Sequence, residues 1–165
     1  MSHQPAIDGL EFARTGAKLQ GACAVADFPR LRDALRTDEG MLQYELRGVP
    51  EERGRPGLRL KVDGALQFSC QRCLGALEYP LHVEVLLQLV ATQAEADAEP
   101  LEAEGPELIV ASRVMPVQDL VEDELLLAIP LAPRHDRCAG QGAPTGREGK
   151  SPFAGLRGLF GGTRH

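Results

Sequence analysis

Two short pairs of soft ligands are the residues of this 165-residue chain best suited to chemistry. The first is Cys70-Gln71-Arg72-Cys73 and the second is His135-Asp136-Arg137-Cys138. A CxxC pair can set two thiolates on one ion. A turn through HxxC can add an imidazole and a third thiolate. Three sulfurs and one nitrogen suit a tetrahedral zinc ion, and structural zinc sites carry four such ligands. The alternative is that Cys138 lies on a loose C-terminal segment, never meets Cys70, and no metal binds. A further use of CxxC is thiol redox chemistry. Reactive pairs of that kind start a helix, whose dipole lowers the pKa of the first thiol. Here the pair lies between two strand-like stretches, and the βαβ setting of a thioredoxin-like motif is missing.

Other constellations are weaker. Ser69, His82 and Asp63 are near one another in sequence, but no nucleophile elbow accompanies them, and ordinary strand chemistry explains them. Cys23 reads as a small core residue of a first strand. The glycines of residues 155–162 (GLRGLFGG) have neither the lysine nor the preceding strand of a phosphate-binding loop. No catalytic residue and no small-molecule substrate are expected.

The elements that must position the two pairs are read from periodicity. Residues 18–25 form a first strand, and Asp27 then caps a short helix carrying Leu31, Ala34 and Leu35 on one face. Leu42, Tyr44 and Leu46 alternate with polar neighbours, as in a strand with one wet face. Residues 49–57 (VPEERGRPG) read as a loop. Leu58, Leu60, Val62, Leu66, Phe68 and Cys70 share one parity with Gly64. That pattern fits one strand with a bulge or two strands meeting at Asp63-Gly64. Leu77 through Leu89 repeat every second residue, the clearest strand of the chain. An antiparallel hairpin with CxxC at or beside its tip follows. Residues 93–106 read as an acidic linker and 107–111 as a short edge strand. Pro116 opens a helix that Pro130 ends, because a residue before proline avoids helical geometry.

On that helix Val117, Leu120, Val121, Leu125 and Ala128 form the apolar face, with Asp119, Glu122 and Asp123 opposite. Glu124 projects from the apolar face. A carboxylate there must be paired, protonated or turned outward; the expectation is a pairing with an arginine of the sheet or with backbone donors.

Composition gives the frame. Hydrophobic residues make up 43% and aromatics only 4%, so the core must rest on Leu, Val and Ala. No apolar run is long enough for a membrane helix. Residues 1–5 lack the charged and apolar regions of a signal peptide, so the cytoplasm is the expected compartment, where four cysteines are thiols or metal ligands rather than disulfides. The formal charge is −6, unevenly placed: residues 93–107 hold six acids and no base, and residues 134–165 hold six Lys or Arg against two acids. The basic end is either a solvated tail or a phosphate-contacting one. Within it, Phe153, Leu156, Leu159 and Phe160 recur at helical spacing. Pro152, Phe153, Leu156 and Arg157 are the candidate partner-binding residues, as in a docking peptide at the end of a flexible segment.

Three segments in order give a resemblance. They are Cys70-Gln71-Arg72-Cys73-Leu74, then residues 119–130 (DLVEDELLLAIP) with His135 and Cys138, then Pro152-Phe153-Ala154 and its apolar continuation. Together they resemble the bacterial YceD family, the large ribosomal RNA subunit accumulation proteins. The resemblance implies a cytoplasmic, non-enzymatic factor for the synthesis, processing or stability of 23S ribosomal RNA. Its partner would be large-subunit ribosomal RNA or a ribosomal protein. Two positions depart from the family pattern: Ser151 stands where Asn is usual before Pro-Phe, and Ser69 where Glu is usual before the first cysteine. The expected architecture is α+β: an antiparallel sheet with two short helices over residues 1–138, containing the acidic loop 93–107, and a flexible basic C-terminal tail over 139–165.

Overall fold

The computed structural model describes residues 5–52, 54–98 and 105–138. The expected tail, with Ser151, Pro152, Phe153, Leu156 and Arg157, lies outside the described residues. The chain falls into two compact units, Met1–His135 and Asp136–His165, and every element below belongs to the first. In chain order they are β1 Ala6–Ile7, α1 Gly9–Thr15, β2 Lys18–Ala24, a 3-10 turn Val25–Asp27, α2 Pro29–Arg32, β3 Met41–Glu52, β4 Arg55–Ser69, β5 Ala76–Val90, α3 Gln93–Asp97, β6 Glu107–Val110, β7 Met115–Pro116 and α4 Val117–Ala128. Strands β2-β3-β4-β5-β6 form one sheet, and β1 pairs with β7 apart from it. Pairings β2 to β5 are antiparallel and β5 with β6 is parallel. The fold class is α+β, as expected, and the described residues hold four α-helices rather than two.

One face of the sheet is the core. Leu42 and Leu46 of β3, Leu58, Leu60, Val62 and Leu66 of β4, and Leu87 of β5 are buried, together with Val25, Phe28, Leu31, Val117, Val121 and Leu125 from the covering helices and turn. Each such side chain contributes about 1.5–3 kcal/mol by leaving water. The other face is polar. Gln20, Glu45, Lys61 and Glu84 are successive cross-strand partners on it, joined by contacts such as Gln20 to Glu45 at 2.6 Å and Lys61 to Glu84 at 3.1 Å.

Several expectations change. The stretch 49–57 is not a loop: β3 runs on to Glu52 and pairs back onto β4, with an irregular register between Val49 and Glu52. Its charged residues, prolines and glycines give this paired hairpin end the composition of a loop. Gly64 marks neither a bulge nor a break, because β4 and β5 keep one register from Gly57↔Gln88 to Ser69↔Ala76. A Cβ on Gly64 would overlap Leu42 Cδ2, so its role is packing. Helix α1 was not anticipated, although its signals are present. Asp8 accepts the Glu11 N–H at 3.1 Å, and Gly16 ends the helix in left-handed geometry at φ 63°. Residues 93–97 of the acidic stretch form α3, capped by Thr92, while 99–104 lie outside the described residues.

Asp27 does not cap α2. That helix starts with Pro29 after Phe28, with no local side-chain cap. Its N–H groups go instead to Glu122 of α4, which accepts from Arg30 N at 2.7 Å, Leu31 N at 3.3 Å and Arg30 Nε at 2.8 Å. Glu122 was expected to face solvent, yet it is 3% exposed. The helical wheel assumed one contact face, whereas α4 packs against both the sheet and α2. Pro116 stands just before α4 rather than inside it, and Ile129 leaves the helix in extended geometry ahead of Pro130. Substituting Glu122→Ala strands two main-chain donors and removes one of the two carboxylates that hold Arg30, which keeps Asp123. The expected loss is about 2–3 kcal/mol of unfolding free energy by urea titration. Arg30→Ala, which leaves the main-chain bonds in place, should cost less.

Candidate metal centre

Because β4 and β5 pair without a slip to Ser69↔Ala76, residues 70–75 must turn within six positions. Cys70 N donates to Gly75 O at 2.9 Å and Leu74 N donates to Cys70 O at 2.8 Å, closing the turn. Closure forces Leu74 to φ 59°, the single left-handed position other than glycine among the described residues. Such a conformation costs a leucine about 1–2 kcal/mol. Arg36 donates from Nη1 to the Leu74 carbonyl at 3.1 Å, supporting the turn from the side.

The turn surrounds the Cys70 sulfur with donors. Arg72 N lies 3.4 Å from Cys70 Sγ. The segment after α4 approaches from the other side: Gln71 N donates to Pro133 O at 2.8 Å, and His135 N lies 3.4 Å from Cys70 Sγ. Cys70 is buried and Cys73 exposed. Burial opposes ionisation of Cys70. The N–H donors of Cys73, His135 and Arg72, with the Cys73 side chain, outweigh it and bring the thiol down to about 5. Cys73 Sγ is 3.4 Å from His135 Nδ1, and that contact, followed by Cys70, pushes the His135 pKa up. His135 Nε2 lies 2.9 Å from the Ala76 carbonyl. A carbonyl can only accept, so Nε2 carries a proton, and Nδ1 is the ring nitrogen directed at Cys73.

The four donors named from sequence come together. One ligand atom each from Cys70, Cys73, His135 and Cys138 lie within 4.8 Å of one another, a group that can hold a metal ion. Around a tetrahedral zinc ion, with bonds of about 2.3 Å to sulfur and 2.0 Å to nitrogen, donors sit roughly 3.5–3.8 Å apart. The Cys73–His135 separation of 3.4 Å is near that spacing. None of the four cysteines is in a disulfide. Sequence reasoning found the side-chain donors and missed the main-chain groups of Ala76, Pro133 and Arg72 that orient them. Backbone atoms leave no residue-type signal.

The other candidates separate. Asp63 and His82 are cross-strand partners on the open face, 2.5 Å apart, while Ser69 pairs with Ala76 farther along the hairpin. No triad forms from them. Cys23 packs at the edge of the core, where burial and then Asp27 push its thiol up, the reverse of what a nucleophile needs. Pro152, Phe153, Leu156 and Arg157 lie outside the described residues.

The large ribosomal RNA subunit accumulation protein YceD family matches residues 58–160, more than half of the chain. The chain belongs to the YceD family. The matched region includes both ligand pairs, most of the long hairpin and α4. No curated protein and no solved structure matches significantly. Among the described residues, no helix of this YceD-family chain is long and apolar enough to cross a membrane.

Glu124 is 7% exposed on the α4 face. The neighbouring Glu122, not Glu124, is the α4 carboxylate that pairs with Arg30 of α2. Burial first, then the carboxylates of Glu107 and Asp123, push Glu124 up to about 6, from 4.5. Between those values the folded state holds a proton that the unfolded chain has released. Stability from this group is therefore full below pH 4.5 and is lost as pH rises through 6. Glu124→Gln should then stabilise the protein at pH 8 relative to pH 4 by on the order of 1 kcal/mol. Urea midpoints of both proteins at the two pH values measure this, and a pH-independent difference contradicts it.

Proposed function

We propose that this chain is a cytoplasmic, non-enzymatic factor for synthesis, processing or stability of 23S ribosomal RNA during large-subunit biogenesis. It acts by binding ribosomal RNA or a ribosomal protein. The family match over residues 58–160 carries this reading. The charge pattern narrows the mode of binding. A chain of net charge −6 is poorly suited to coating RNA broadly. Contact through the basic residues after 138, or capture of a basic ribosomal protein by the acidic residues 93–107, fits the distribution better. In the second mode the acids mask the partner's positive charge until it is delivered. Depleting the protein and measuring 23S against 16S ribosomal RNA tests the assignment. The expected result is a fall in 23S relative to 16S, and an unchanged ratio sinks it.

A second property is favoured by the donor cluster: a bound zinc ion on Cys70, Cys73, His135 and Cys138. Their proximity and their sulfur and imidazole chemistry support it. Thiol redox chemistry has less support, since CxxC occupies a hairpin turn with no helix N-terminus beside it.

A further inference from the structure

We infer that the zinc ion is a structural clamp that fastens the segment following α4 onto the tip of the β4–β5 hairpin, with no open position for catalysis. The inference rests on the zinc reading above and adds what the ion does. From Pro130 to His135 the chain has no regular secondary structure. Leu131 is fully exposed and Pro133 is buried, but the segment contributes no side chain to the main core cluster. What holds it is concentrated at the tip: Pro133 O on Gln71 N, His135 N on Cys70 Sγ, and the His135 ring between Cys73 and the Ala76 carbonyl. Three of these four contacts involve a candidate metal ligand directly.

Protein contacts shape the tip. The hairpin register fixes both cysteines on one turn, and N–H donors from Arg72 and His135 face Cys70 Sγ. Hydrogen bonds to a ligating sulfur and a fixed imidazole tautomer are the outer contacts that orient metal ligands. The left-handed Leu74 is a local strain, and strain at a ligand turn persists where the surroundings fix it. Four protein donors fill a tetrahedron and leave no site for water or substrate, which distinguishes a structural zinc from a catalytic one.

The test uses the full chain purified without chelator. Native mass spectrometry should show one zinc per chain, retained by Cys23→Ser and lost by Cys70→Ser and Cys138→Ser. Amide hydrogen exchange is then compared before and after zinc removal by a chelator. Exchange at Gln71 and His135 should rise at least about tenfold, while Leu60 and Val83 in the sheet change little. Zinc bound with no change at Gln71 and His135 overturns the clamp and leaves the zinc reading standing. A chain that takes no zinc at equimolar metal overturns both. A rise as large at Leu60 and Val83 also overturns the local clamp, because the ion would then support the whole sheet.

Discussion

The unbroken register of the β4–β5 hairpin is the constraint from which the rest of the structure follows. Thirteen successive pairs, from Gly57↔Gln88 to Ser69↔Ala76, keep every second side chain of both strands on one face. A slip of one residue would turn that whole set outward and expose it to water. The same register decides where the hairpin ends, and hence that Cys70 and Cys73 share one tight turn. The core and the turn that carries Cys70 and Cys73 are therefore two consequences of one pairing. Helices α1, α2 and α4 cover the apolar face, and Glu122 ties α2 to α4 by filling its carboxylate with main-chain donors.

The long hairpin was legible in the sequence because strand period and burial coincide there. Leu77 through Leu89 repeat every second residue, Cys70 closes the matching series of β4, and residues 71–75 hold the turn between them. The sequence also named the four side-chain donors that could hold a metal ion, since soft donors at close spacing are scarce and chemically specific. What it concealed has physical reasons. The outer end of β3 and β4 carries charges and two prolines, so its composition is that of a loop although its backbone is paired. Gly64 looked like a break because only the packing of Leu42 explains a missing Cβ there. Glu122 was placed on the wet face because a helix with two neighbours does not have one buried face. Asp27 looked like a cap because a cap brought from a distant helix has no local signature.

The charge distribution and the tip meet in one picture of the protein. The open sheet face is a polar ladder of alternating sign, a surface that stays solvated and does not call for a partner. The acidic residues around 93–107 and the basic residues after 138 are the parts whose charge is unbalanced. The contribution of the hairpin tip is to fix the segment that runs from α4 to His135.

X-ray absorption at the zinc edge of the purified full chain tests the central structural claim most directly. The account predicts a four-coordinate ion with three sulfurs at about 2.3 Å and one imidazole nitrogen at about 2.0 Å. A shell of oxygen and nitrogen alone, or a sulfur count that Cys70→Ser leaves unchanged, would contradict it.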